Sequence, residues 1–156
     1  MGEVRVTRVV VGSDEPTPST EAAVRHLRAR GVEAVPVGPL AGRDADWVQV
    51  AGEVGRAVAD GSAQAAVLFC YTGTGASIAV NKVAGIRGAL CVDAETARGA
   101  RRWNDANVLV MSYRLATETL VREIIDAFFD TPAEETEAAT IAQLTNLERE
   151  QSGIPG

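Results

Sequence analysis

Ala65-Ala-Val-Leu-Phe-Cys-Tyr-Thr-Gly-Thr-Gly-Ala-Ser-Ile-Ala-Val-Asn-Lys82 decides how the rest of the chain is read. The apolar run from Ala65 to Cys70 has the composition of a strand buried on both faces, as in a parallel sheet. Gly73 and Gly75 break it, and Ser77–Lys82 has helical character, so the stretch reads strand, glycine turn, helix. A thiol at the carboxyl end of a strand then faces unpaired backbone N–H groups and the positive end of a helix dipole. Such a field favours the anionic form of a thiol, the form that acts as a base or nucleophile.

Outward from this unit the same alternation recurs. Val4–Gly12 is β-branched and reads as the first strand; Ser19-Thr20 offers a cap for a helix over Glu21–Arg30, which Gly31 ends. Ala34–Val37 is a short second strand, Gly38–Ala45 a loop, and Asp46 caps a helix running to Ala59, closed by Asp60-Gly61. Beyond the central unit come a strand at Gly88–Val92, a helix at Ala94–Arg102, a strand at Val108–Met111 and a helix at Ala116–Phe129. Pro132 breaks the chain, and Ala133–Gln151 is helical by propensity. Strands alternating with helices imply an α/β fold with a parallel sheet covered on both faces, whose ligands bind beyond the carboxyl ends of the strands. Asp14, Cys70, Asp93 and Ser112 fall near those ends. Residues 1–132 form the body, and 133–156 add a C-terminal helix and tail to the same domain. That helix lacks packing partners within so small a body, so a second subunit is expected to cover it, in a homodimer or a tetramer.

The 156 residues suffice for one compact domain. The net charge of −6, with Lys82 as the one lysine and no run of arginines, argues against a nucleic-acid surface. No apolar stretch approaches membrane-spanning length, and Met1–Val6 lacks the apolar core of a signal peptide. Cys70 and Cys91 are expected to be reduced thiols in a cytoplasmic enzyme, with Cys91 structural. A dinucleotide fingerprint would need glycine where Ile78 stands and should follow the first strand, which argues against a nucleotide site. His26, the single histidine, reads as a solvated residue of the first helix.

The pattern Cys70-x-Thr-Gly-x-Gly-x-Ser-Ile-x-x-Asn-Lys82-x-x-Gly-Ile-Arg87, followed by Asn104-Asp-Ala-Asn-Val-Leu109, resembles the ribose-5-phosphate isomerase B family, which includes the galactose-6-phosphate isomerase subunits. The resemblance implies a Rossmann-like three-layer αβα sandwich with a five-stranded parallel sheet. It also implies a C-terminal helix packed on a partner subunit, and an aldose–ketose isomerase needing no metal and no cofactor. By resemblance Cys70 is the base that moves a proton between C1 and C2 of a sugar; beside it Thr72 reads as a further catalytic polar contact. The backbone from Gly73 through Gly75 and Ala76 to Ser77 holds the enediolate oxygens, whose developing charge preorganised donors stabilise. Asp14 binds sugar hydroxyls, Trp47 packs on the sugar, Asn104 contacts substrate, and Arg114 lies near a phosphate.

The departures from the family are as informative. Glu15 stands where the family carries a phosphate-binding histidine, and Trp103 where it carries the histidine that opens the sugar ring. Tryptophan has no proton to exchange near neutral pH. Tyr71 replaces a glycine and adds bulk beside the thiol. The family's C-terminal arginine clamp gives way to Glu134-Glu-Thr-Glu-Ala-Ala-Thr-Ile141, whose carboxylates repel a phosphate dianion. These changes point to a sugar or sugar derivative other than ribose 5-phosphate. A non-catalytic sugar-binding or structural relative, and a repurposed pocket carrying out epimerisation or dehydration of a carbonyl compound, are the alternative readings.

Overall fold

The computed structural model describes residues 5–153. The expected start of the first strand at Val4, most of the leader reading, and the last three residues lie outside this range. The first strand, β1, is Arg8–Ser13; α1 is Pro18–Ala29, β2 Glu33–Val37, α2 Trp47–Ala59, β3 Ala65–Cys70 and α3 Thr74–Val80. They are followed by β4 Gly88–Leu90, α4 Ala94–Asn104, β5 Val108–Ser112, α5 Glu118–Asp130 and α6 Ala138–Ser152, with short 3-10 turns at Gly38–Ala41 and Glu135–Glu137.

All five strands are parallel, in the order β2-β1-β3-β5-β4. The alternation along each strand sends its side chains to two cores. Val9, Val11, Val67, Phe69, Leu109 and Met111 pack against α1, α4 and α5, while Val10, Ala66, Leu68, Cys70, Val108 and Val110 pack against α2 and α3. This is the three-layer αβα sandwich expected from the sequence. β1 sends its chain outward to β2, and β3 sends its chain the other way, past β5 to β4. The crevice between the carboxyl ends of β1 and β3 is therefore the topological switch point, where such sheets bind ligands.

Several boundaries differ from the sequence reading for local reasons. The cap of α1 is Thr17, not Ser19 or Thr20. Its side chain accepts from the Thr20 N–H while Thr20 Oγ1 accepts from the Thr17 N–H, and Pro18 fills the first helical position, where no N–H is needed. Asp46 caps α2 as expected, in a reciprocal pair with Gln49. The helix after the glycine turn starts at Thr74, earlier than Ser77, because Gly73 already serves as its cap. β4 stops at Leu90, and α5 begins after its cap, Thr117. His26 is half-buried rather than solvated: its Nε2 lies 2.7 Å from Asp126 Oδ1, which also accepts from Arg30, tying α1 to α5.

The Asn104–Leu109 motif acquires a structural explanation here. Asp105 ends α4 in the left-handed region, with φ 45°, the one described non-glycine residue at positive φ. There its carboxylate accepts from Arg101 at 2.9 Å and from Arg87 at 3.4 Å. The side-chain amide of Asn107 accepts from the Arg87 N–H and donates to the Gly85 carbonyl. The motif thus fastens the amino-terminal edge of β4 and β5 to α4. Asp105→Ala loses charge-assisted hydrogen bonds and puts a side chain with no local hydrogen bond into a left-handed turn. It is expected to cost about 1–3 kcal/mol of unfolding free energy. Asp105→Asn, which tolerates that backbone, should cost less; urea unfolding of the two variants checks the order.

Candidate active site

Gly73 sets the geometry at the carboxyl end of β3. Its φ is +81°, and a Cβ there would stand 2.5 Å from Leu90 Cδ1 and 3.3 Å from the Met111 carbonyl, so glycine is required twice over. The turn brings the Gly73 N–H to 3.1 Å from Cys70 Sγ, to which it donates. Ser77 N–H donates to the Gly73 carbonyl and closes the first helical turn. The intervening amides of Thr74, Gly75 and Ala76 have no acceptor among the described residues. The set of free donors is therefore 74–76, narrower than the 73–77 expected from sequence, because the amides of Gly73 and Ser77 are already engaged.

Other residues converge on this end. The Trp47 ring covers Gly75, at 3.1–3.4 Å from where a Cβ would be, and remains 43 % exposed. Thr72 and Thr74 share a hydrogen bond between their hydroxyls at 2.7 Å. Ser112 Oγ donates to the Tyr71 carbonyl at 2.7 Å, and the N–H groups of Tyr113 and Arg114 donate to the carbonyls of Cys70 and Tyr71. Arg114 is thereby held beside the thiol loop with its side chain exposed. Across the crevice Ser13 pins Glu15 through both backbone groups, and Asp14 presents a buried Oδ1 with no hydrogen-bond partner among the described residues.

Trp103 and Asn104 are not in this cluster. They end α4 beside the amino-terminal edge of the sheet, three and two residues before Ala106, which with Asn107 leads into β5. The length of a strand separates them from Cys70, about 17 Å for six residues. Trp103 lies back over Gly99 of its own helix. The acidic segment is also at that edge: the Glu134 N–H donates to the Arg102 carbonyl, and Glu148 accepts from the Gly85 N–H. None of the residues in α6 is buried, and Leu144 and Leu147 stand exposed along it.

Tyr113 is the residue that sequence reasoning missed. It is half-buried, its ring meets that of Tyr71 edge-on with centroids 6.0 Å apart, and it faces Asp14, Glu15 and Cys70. Burial, followed by the negative charges of Asp14 and Glu15, holds its phenol well above the ordinary range, so it is a neutral donor. Its position just after β5 was the available signal. Cys91, by contrast, sits in the core on the other face of the sheet.

A cavity of about 600 Å³ opens at the opposite, amino-terminal edge, against Gln64, Arg87, Arg101, Asp105 and Phe128. Its arginines donate to Asp105 and to the carbonyls of Ala106 and Thr131, which makes them braces of this edge.

A family model described as Ribose/Galactose Isomerase matches residues 9–144, and the chain belongs to that family of sugar-phosphate isomerases. It is 40 % identical to ribose-5-phosphate isomerase B of Escherichia coli over 105 residues, 67 % of this chain and 70 % of that protein. It is 39 % identical to D-erythrulose-4-phosphate isomerase of Pectobacterium atrosepticum over 89 residues, 57 % of this chain and 59 % of that protein. The type B ribose 5-phosphate isomerase of Trypanosoma brucei superimposes with a TM-score of 0.84 at 37 % identity, covering 92 % of this chain and 99 % of that one. The family resemblance, the Rossmann-like fold and the reading as an isomerase are all borne out. No described helix is long and apolar enough to cross a membrane.

Burial, and then the charge of Asp93, push the Cys91 thiol up from 9.0 to about 12. The raised value means that this group's contribution to stability is complete below pH 9 and is lost as pH rises toward 12. Iodoacetamide at pH 8 should therefore leave Cys91 unmodified in the folded chain and label it in urea, as read by peptide mass mapping. Gly73→Ala is expected to destabilise by about 1–3 kcal/mol through the left-handed turn and the Leu90 contact.

Proposed function

We propose that this enzyme interconverts the aldose and ketose forms of a sugar or sugar derivative through a cis-enediolate, with Cys70 as the base. The observation that supports this most is the Gly73 N–H donated to Cys70 Sγ beside the free amides of Thr74, Gly75 and Ala76. In the forward direction the Cys70 thiolate removes the proton from C2. The electrons of that C–H bond form the C1–C2 double bond, and the carbonyl π electrons move onto O1. The three amides donate to that oxygen as its charge grows, the moment at which fixed donors contribute most. The thiol returns the proton to C1, the O2 hydroxyl proton transfers to O1, and the carbonyl reforms at C2. Thr72 contacts the enediol oxygens, Ser77 is a secondary polar contact, and Trp47 and Tyr71 pack on the carbon chain.

The substrate we propose is not ribose 5-phosphate. A free sugar, a keto sugar derived from a uronate, or one carrying an amine suits a crevice with Asp14 and Glu15 on one side and Arg114 on the other. Trp103 and Asn104, about a strand length from Cys70 within one chain, would reach the site of a second copy, and the exposed side of α6 would cover that copy. The assembly is then a homodimer at least.

Incubation in deuterated water with a panel of free and phosphorylated aldoses and ketoses tests this reading. Deuterium should enter C1 or C2 of a substrate, and Cys70→Ala should lower the exchange at least about 100-fold, the scale of a lost general base. Exchange undiminished in that variant would refute the base assignment. No exchange with any sugar would favour the non-catalytic reading.

A further inference from the structure

The part of the glycine-turn signature that begins at Asn81 takes no part in the proton transfer, yet it is built into the fold with care for geometry. Asn81 follows α3, and its side-chain amide pairs with β4 as a neighbouring strand would. Oδ1 accepts from the Gly88 N–H at 2.8 Å, and Nδ2 donates to the Gly88 carbonyl at 3.0 Å. Nδ2 also donates to the Ser77 carbonyl at 3.0 Å, one turn back in α3. Gly88 is fitted to this partner, since a Cβ there would stand 2.7 Å from Val80 Cγ1 and 3.2 Å from Asn81 Nδ2. Asn107 holds the preceding residues of the same segment, through the Arg87 N–H and the Gly85 carbonyl.

We infer that Asn81 is a positioning residue for the oxyanion donors: it fixes the far end of α3 to β4, so that the amides of Thr74, Gly75 and Ala76 keep their aim. α3 has seven residues, too few to stay helical unaided. α2 packs along it and Trp47 meets Gly75 near its start, but apolar packing is non-directional and lets a short helix slide or turn. Three hydrogen bonds reaching two elements define one placement. Ser77 connects this brace to the turn: its carbonyl accepts from Asn81, and its N–H donates to the Gly73 carbonyl. Gly73 in turn donates to Cys70 Sγ. A displacement of about 1 Å in such a site costs up to about 100-fold in rate. The amides act on the oxygen as its charge develops, so loosening them lowers turnover and leaves substrate binding nearly intact. The inference rests on the proposed isomerase site and concerns a residue outside it.

The experiment compares Asn81→Ala with Asp126→Ala, which removes a brace between α1 and α5 on the other face of the sheet. With a sugar that exchanges deuterium, Asn81→Ala should lower kcat about 10- to 100-fold and change KM by less than about 2-fold. Asp126→Ala should keep the unsubstituted kcat while folded. Asn81→Asp retains an acceptor for the Gly88 N–H but turns a carboxylate toward the carbonyls of Ser77 and Gly88, so near neutral pH its kcat should fall at least as far. Amide hydrogen exchange followed by NMR needs no substrate. The Gly73 and Ser77 N–H groups should exchange about 10-fold faster in Asn81→Ala, with the amides in the core of α5 unchanged. An unchanged kcat, a loss confined to KM, an equal loss in Asp126→Ala, full turnover in Asn81→Asp, or unmoved exchange at Gly73 and Ser77 would each overturn the inference. Faster exchange at those two amides, with no deuterium entering any sugar, would refute the isomerase reading and leave the role of Asn81 in placing the turn standing.

Discussion

One dihedral angle governs this molecule. With Gly73 in the left-handed region and no room for a side chain, the polypeptide leaving β3 turns within three residues, and α3 starts above the crevice. That single turn sends one amide back to Cys70 and leaves the next three pointing outward. It also seats Gly75 close enough to receive the face of Trp47, so the start of α2, which packs beside α3, closes onto the site. No other residue offers both the conformation and the clearance.

The polarity of a parallel sheet distributes everything else. Each strand starts at one edge and ends at the other, and each helix runs back. The carboxyl edge gathers Asp14, Cys70, Ser112 and Tyr113, with anionic groups and free amides in one crevice. The amino edge gathers Arg87, Arg101, Asp105 and Asn107, whose hydrogen bonds are spent on one another. One edge carries a row of unpaired backbone amides, and the other is cross-braced by ion pairs and side-chain hydrogen bonds. This difference, rather than the volume of either concavity, distinguishes a reactive end from a braced one.

Much of this was legible in the residues. The β3 boundaries, the Asp46 cap and the glycine turn follow from local chemistry, because each depends on neighbours within four positions. The cap of α1 falls at Thr17, ahead of Ser19 and Thr20, because the proline at position 18 suits the first helical position and moves the start forward. Tyr113 was not legible, since its significance comes from Asp14 and Tyr71, distant in sequence and met only when the strands align. His26 belongs to the same class, its partner lying 100 residues away. The separation of Trp103 and Asn104 from Cys70 could have been read from the direction of α4. A helix between two parallel strands must end where the next strand begins.

The two cysteines lie on opposite faces of the sheet, Cys70 with α2 and α3, Cys91 with α1, α4 and α5. Five hydrogen-bonded strands stand between those cores, so neither sulfur can reach the other without the fold coming apart. A sulfenic acid formed at Cys70 consequently has no resolving thiol within its own chain, and its return to the reduced state depends on a reductant from outside. The architecture that isolates this sulfur for chemistry also makes each oxidation event a loss that the protein cannot repair alone.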